Sequence, residues 1–332
     1  MTGEYRHIPV MLRESRQALA LSPGEIYCDC TLGGAGHALA IAEDLAPDGL
    51  LIGIDQDASS LAEALLRISQ TQLAIHYEIL KGNFCDLDQL LLDARIVGVD
   101  GILFDLGVSS PQIDLPSRGF SYAQEAPLDM RMDPGTQTLT AAEIINSYNA
   151  ADLTRILRNY GEERWASRIA ARIVQSRASA PLETTTQLAA LIKEAIPASQ
   201  RREGGNPAKR SFQALRIAVN GELDALTRGL DAALRWLNPA GRLVVISYHS
   251  LEDRIVKRAF ARAAQGCVCP PDQPVCTCNH HPILTTVSKK ALLPTSEERE
   301  SNPRSRSARL RFAVKADKTR REAWAGPEQL QR

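Results

Sequence analysis

The sequence predicts an α/β fold: an open, mainly parallel sheet whose chain is interrupted by a helical insertion. Three observations lead there. Over the first hundred residues short apolar runs alternate with helix-length amphipathic segments, the pattern of strands joined by right-handed helical crossovers. The middle of the chain is helical and carries no strand period. A late unbroken apolar run, Leu243–Ile246, then returns the chain to a strand buried on both faces.

In order, Ile26–Cys30, Leu50–Asp55, Ile75–Leu80 and Gly101–Asp105 read as strands, with helices at about His37–Leu45, Ala58–Ser69 and Leu87–Ala94. Pro47-Asp48-Gly49 turns the chain into the second strand. After Gly107, Pro111, Pro116, Pro127 and Pro134 punctuate a loop-rich stretch, and Ala141 to about Ile196 is helical. There Trp165, Ile169 and Ile173 form one stripe at helical spacing, and Arg164, Arg168 and Arg172 form its neighbour. Arg201–Lys209 is a polar linker. Leu223, Leu226, Leu230, Leu234 and Leu237 mark a long helix stopped by Asn238-Pro239. Ser250 with Asp253 reads as a capping box opening a helix to about Ala264. Ile283–Ser288 and Ala308–Val314 read as closing antiparallel strands. The expected organisation is a discontinuous domain of 1–115 and 215–315, a helical insertion over 116–214, and a polar tail over 316–332.

No apolar run approaches the roughly 18 residues of a membrane span, and MTGEYRHIPVMLRE has no apolar core of a secretory signal, so a cytoplasmic location is expected. Lys+Arg and Asp+Glu both number 39, so any polyanion must be met by local patches rather than by net charge. The candidates are Arg164/Arg168/Arg172, Lys209-Arg210 with Arg216, Arg254/Lys257/Arg258 and Arg304/Arg306/Arg309/Arg311. Few carboxylates interleave in Lys209–Arg210 and Arg304–Arg311, which favours phosphate contact there. The Arg164 stripe reads equally well as a solvated face.

Seven cysteines, an odd number, argue against a disulfide framework. Four of them, in "CVCPPDQPVCTCNHH", form two C-x-C pairs flanking a proline-stiffened turn. Cys267, Cys269, Cys276 and Cys278 thus resemble a tetrahedral zinc site, structural because four thiolates leave no open position. Reduced thiols packing a loop, or a redox pair, are the alternatives.

"YCDCTLGGAGHALA" (Tyr27–Ala40) runs a strand into a bend bearing Gly33, Gly34 and Gly36, where the lack of Cβ atoms lets a ligand approach the backbone. Asp55, nineteen residues beyond Gly36 and at the tip of the next strand, is placed to accept hydrogen bonds from a ribose. A nicotinamide dinucleotide and S-adenosylmethionine both suit this geometry. From Gly34 the chain reads G-A-G-H-A-L, so the third glycine of the dinucleotide fingerprint is absent. Asp29 would suit the cationic amino-acid end of the sulfonium cofactor. A plain strand–helix turn is the bland alternative. The fourth strand ends in "FDLGVSSPQ" (Phe104–Gln112), with Asp105 on the edge where open α/β sheets bind ligands.

The motifs "HIPVML.E" (His7–Glu14), "TLGGAGH" (Thr31–His37), "DLGVSSPQ" (Asp105–Gln112), "RGFS…PLDMRMD" (Arg118–Asp133), "YGEERWASRIA" (Tyr160–Ala170), "SFQALRIAVN" (Ser211–Asn220), "ISYHSLEDRIVK" (Ile246–Lys257) and "NPRSRSARLR" (Asn302–Arg311) together resemble the bacterial small-subunit ribosomal RNA methyltransferase H family (MraW). The resemblance covers about His7–Val314. It implies a Rossmann-like, S-adenosylmethionine-dependent methyltransferase sheet, and since an enzyme that extrudes a base must clasp the neighbouring nucleotides, the helical insertion is the natural candidate for RNA recognition. It also implies methylation of the N4 exocyclic amine of a decoding-centre cytidine in 16S rRNA of the small ribosomal subunit. The cofactor positions carried over are Ala35, Gly36, His37, Asp55, Phe84, Asp105 and Gln112.

The catalytic candidate is Asp105, although Asp105-Leu106-Gly107-Val108 lacks the prolines and aromatic of the amino-methyltransferase motif that occupies this place. Tyr248 and His249 are candidates to line the cytidine pocket; the alternative for His249 is a strand-end residue before a helix cap. No membrane contact and no obligate protein partner is evident. A nicotinamide-dependent oxidoreductase and a non-catalytic RNA-binding assembly factor are the rival readings.

Overall fold

The computed structural model describes residues 9–109, 112–113, 115–200, 206–270, 273, 275–278 and 280–317. Linker residues 201–205 and the polar tail beyond 317 lie outside them. The chain forms two compact units, one of Met1–Gly107 with Leu223–Arg332 and one of Val108–Glu222. The helical unit is therefore eight residues longer at each end than the 116–214 stretch expected from sequence.

The sheet unit begins with α1 (Leu12–Leu19), then alternates β1 (Ile26–Asp29), α2 (Gly36–Leu45), β2 (Leu50–Asp55), α3 (Ala58–Ser69), β3 (His76–Lys81), α4 (Leu87–Asp93) and β4 (Val99–Asp105). The chain re-enters the sheet unit through α10 (Glu222–Trp236), β5 (Leu237–Ser247), α11 (Ser250–Ala263), β6 (Leu284–Val287), α12 (Ser296–Ser301) and β7 (Arg309–Lys315). The seven strands take the order β3-β2-β1-β4-β5-β7-β6. β1 to β5 are parallel, and β7 runs antiparallel between β5 and β6. This is a Rossmann-like sheet. Its order reverses between β1 and β4, which makes the crevice beyond their carboxyl ends the natural ligand position.

Both sheet faces are covered, so β5 buries Leu243, Val244, Val245 and Ile246 at 1% exposure or less instead of alternating. One core layer joins Ile52, Ile102, Phe104, Leu230 and Phe260, and the other joins Tyr27, Ile41, Leu51, Leu103 and Leu310. β5 starts at Leu237, ahead of the Asn238-Pro239 stop read from the sequence, with a register shift against β4 and Ala240 at φ 62°. The strand passes through this irregularity as a bulge.

The helical unit contains α5 (Ala141–Ser147), α6 (Ala150–Gly161), α7 (Ala166–Arg177), α8 (Thr185–Ala195) and α9 (Lys209–Asn220). Thr140, Asn149 and Thr184 cap α5, α6 and α8, the last in a capping box with Gln187. Ile144, Leu153, Leu157, Ile169, Ile173, Leu188 and Phe212 meet in its core. The Asn220 side chain bonds Met130 O and Met132 N, each at 2.8 Å, and so stitches the "PLDMRMD" loop to α9.

Three sequence expectations need correction. α11 is capped by His249, not Ser250: His249 Nδ1 accepts from Glu252 N, and Glu252 Oε2 accepts from His249 N and Tyr248 N. Asp253, the expected partner of Ser250, instead binds Arg311 at 2.6 and 3.2 Å. That pair also removes Arg311, 7% exposed, from the phosphate candidates. Arg216 is likewise committed, through a two-point bond to Glu222 at 2.8 and 2.7 Å.

Candidate active site

The carboxyl ends of β1, β2 and β4 gather the acids that the sequence singled out. Asp29 ends β1 at 1% exposure; its Oδ1 accepts from Thr31 N at 3.0 Å, and its Oδ2 lies 3.4 Å from the Tyr27 hydroxyl. Burial pushes the Asp29 carboxyl up to about 6, against the opposing pull of His37 and Thr31 N. Asp55 ends β2 and spans the glycine bend: Oδ2 accepts from Gly33 N and Oδ1 from Asp57 N, each at 2.8 Å. Desolvation raises it also to about 6. The two carboxylate oxygens together offer about four acceptor sites, so Asp55 holds the bend and still has acceptor capacity for a ligand hydroxyl.

The bend is shaped by backbone conformation. Gly33 sits at φ 49° and Ala35, fully buried, at φ 59°. Ala35 is the N-cap of α2 and supplies no side-chain cap, and no acidic residue occupies the first turn of that helix. Among the described residues no side chain caps its leading N–H groups at the carboxyl end of β1, the condition that suits an anionic ligand group. Arg67 Nη1 donates to Gly34 O and fixes the outer side of the bend.

Asp105 ends β4, and its N–H donates to Thr31 Oγ1 at 2.7 Å, locking the tips of β1 and β4 together. Tyr248 donates its hydroxyl to Asp105 Oδ1 at 2.7 Å, and His37 Nδ1 lies 3.5 Å from Asp105 Oδ2. The other His37 nitrogen meets Val10 O at 2.8 Å, so the ring is held from both sides. Burial raises the Asp105 carboxyl, with His37 and the Tyr248 hydroxyl acting in the opposite direction. Burial beside Asp105 drives the Tyr248 phenol well above its usual value, so it stays a donor.

Phe84 follows β3 in a 3₁₀ turn capped by Asn83. It packs edge-on against Phe104 with ring centroids 5.3 Å apart. Gly229 of α10 lies beneath it, where an added Cβ would stand 2.8 Å from Phe84 Cδ2.

The structure therefore brings Ala35, Gly36, His37, Asp55, Asp105 and Tyr248 to one rim, with Phe84 beside β3. His249 is the cap of α11, and its Nε2 lies 3.1 Å from Glu252 Oε1. Gln112 belongs to the helical unit, where it is buried and accepts from Ser109 N at 3.0 Å. Sequence reasoning missed Thr31, Asp57 and Glu252. Asp57 was legible as the N-cap of α3. Glu252 was masked by the rarity of histidine as a capping residue. The four thiols of Cys267, Cys269, Cys276 and Cys278 come together in the segment after α11. Among the described residues no helix is long and apolar enough to cross a membrane.

Comparison with known proteins agrees with the motifs. The profile of the MraW methylase family matches residues 4–316. The Ribosomal RNA small subunit methyltransferase H of Symbiobacterium thermophilum is 52% identical over 311 residues, 94% of this chain and 97% of that protein. The proteins of the same name from Paenibacillus sp. and Heliobacterium mobile are 51% and 52% identical, each over 94% of this chain and 99% of their own length. A match that runs through the bend, the rim acids and the helical unit alike makes the chain a member of the MraW methylase family.

Proposed function

We propose that this protein methylates small-subunit ribosomal RNA with S-adenosylmethionine, and that its target is the N4 amine of a decoding-centre cytidine in 16S rRNA. The supporting observation is the meeting of Asp29, Asp55 and the glycine bend at the switch point of the sheet, with Asp55 bonded directly to Gly33 N. The donor set fits the cofactor. Asp29 is a buried carboxylate to which, among the described residues, no cationic side chain is hydrogen-bonded, matched to an ammonium group. The open first turn of α2 suits the carboxylate beside that ammonium. Asp55 accepts from ribose hydroxyls, and the Phe84 ring offers a face or edge to adenine. When bound, the cofactor supplies a methyl group already activated by its sulfonium.

The protein's remaining task is alignment. The lone pair of a cytosine amine is delocalised into the ring, so acceptors for its hydrogens favour a localised, nucleophilic nitrogen. Asp105 at the tip of β4 takes that role, oriented by Tyr248 and His37. A carboxyl held above its ordinary range by burial is also suited to receive the amine proton that leaves after transfer. Tyr248 and His249 border the base. The helical unit and Lys209-Arg210 meet RNA phosphates, and both side chains are exposed.

Calorimetry with S-adenosylmethionine and with NAD separates this reading from an oxidoreductase: binding of the first alone is expected. Mass mapping of 16S rRNA from cells lacking the protein is expected to show one cytidine short of an N4 methyl group. An unchanged map refutes the assignment of the target.

A further inference from the structure

The segment between α11 and β6 holds a cluster that the rim chemistry does not use. The sulfurs of Cys267, Cys269, Cys276 and Cys278 all lie within 4.8 Å of one another. Cys267 Sγ is 3.5 Å from Cys276 Sγ and 3.8 Å from Cys278 Sγ; Cys276 Sγ is 3.9 Å from Cys269 Sγ and 3.4 Å from Cys278 Sγ. A tetrahedral ion with four Zn–S bonds of about 2.3 Å sets its sulfurs about 3.8 Å apart. A disulfide would need roughly 2.05 Å, and all four cysteines are free. The spacing is that of a metal knot, not of paired oxidised thiols.

We infer that Cys267, Cys269, Cys276 and Cys278 bind one zinc ion as a four-thiolate structural site. Binding replaces four S–H bonds with four S–Zn bonds and releases four protons, leaving a complex of net charge −2. Backbone donors already point at that charge: Val268 N lies 3.5 Å from Cys278 Sγ and Cys269 N lies 3.4 Å from Cys267 Sγ. Outer hydrogen bonds of this kind orient thiolate ligands and spread their charge. Soft sulfur ligands in a tetrahedron select zinc over the hard cations that prefer oxygen. With all four positions filled by protein, no site remains for substrate, so the ion fastens structure.

It fastens a segment that has little else to hold it. Among its described residues the apolar side chains are left outside, with Val268 and Val275 49% and 70% exposed. Its base is closed by Ile283 N to Ala263 O at 2.8 Å and by His280 Nδ1 at 2.7 Å from Gly266 O. A bound ion supplies the folding free energy that such a loop cannot draw from packing.

The test uses the full-length protein, grown with zinc and purified without chelators. Elemental analysis is expected to find one zinc per chain, and mercurial titration to release it as four thiols react. Cobalt exchanged into the site is expected to give thiolate-to-metal charge-transfer bands with a tetrahedral ligand-field spectrum. The double variant Cys276→Ser/Cys278→Ser should lose the metal while binding S-adenosylmethionine as tightly as before. A metal-free chain with four titratable thiols, iron in place of zinc, or a disulfide found by mass each overturns the inference. The native stoichiometry and the cobalt spectrum decide it even if the variant fails to fold, and neither depends on methyl transfer.

Discussion

Asp29→Asn separates what the rim needs for binding from what the fold prefers. Asp29 is 1% exposed, and desolvation lifts its carboxyl from 3.8 to about 6. At about 1.4 kcal/mol per unit, keeping it ionised at neutral pH costs the ligand-free protein roughly 3 kcal/mol. Asparagine has the same shape, keeps an acceptor for Thr31 N and carries no charge to desolvate, and that cost is already net of the charged hydrogen bond from Thr31 N. The variant is therefore expected to be more stable than the natural protein by up to about 3 kcal/mol at neutral pH without ligand.

The pH dependence carries the sign. A folded-state value above the unfolded one means that the folded protein holds more protons between about pH 4 and 6, so its stability falls as pH rises through that window. Asp55, also at about 6, and Asp105, likewise raised by burial, add slopes of the same sign, so Asp29→Asn should reduce the total without abolishing it. For the cofactor the effect reverses: losing a buried charge opposite an ammonium should weaken binding on the order of 100-fold. Urea unfolding read by amide exchange in β1 and β4, with calorimetry alongside, measures both. A variant less stable than the natural protein at neutral pH that binds S-adenosylmethionine with undiminished affinity refutes the reasoning.

Gly229→Ala puts a Cβ 2.8 Å from Phe84 Cδ2, so despite better helix propensity it should displace that ring and weaken cofactor affinity roughly tenfold by calorimetry. Asp253→Ala leaves Arg311 buried without its carboxylate and is expected to lower the stability of the sheet unit by about 3–5 kcal/mol, seen as lost exchange protection in β5 and β7. Tyr248→Phe removes the donor at 2.7 Å from Asp105, so kcat/KM for methyl transfer should fall about 10- to 100-fold and the acid limb of the pH–rate profile should move to higher pH. Replacing Lys209 and Arg210 with Gln should flatten the salt dependence of RNA binding by one to two phosphate equivalents, with cofactor affinity unmoved.

Apart from α1 and α12, which the sequence reading did not name, the elements of the sheet unit were legible in the sequence because their signals are local. Apolar runs ending in Asp29, Asp55 and Asp105 and the glycines of Thr31–His37 sit within single strand–turn–helix units, and so the rim acids could be named before the fold was seen. What was misread depends on partners distant in the chain or on an unusual cap. Arg311 looked free for phosphate because its carboxylate, Asp253, is fifty-eight residues away, across the junction of α11 with β7. Arg216 is tied by Glu222 around a helix end. The capping box slipped by one residue because His249 takes a role usually given to a short hydroxyl or carboxamide side chain.

By itself the sequence determined most of the strands and helices and which acids end the strands, since hydrophobic period and turn chemistry act over a few residues. Only the tertiary structure decided which of the charged groups remain available. It closed Asp55 onto Gly33, set Tyr248 and His37 on either side of Asp105, and drew four separate thiols to within 4.8 Å of one another. Charge pairing and desolvation depend on distances through space, and a linear order of residues does not contain those distances.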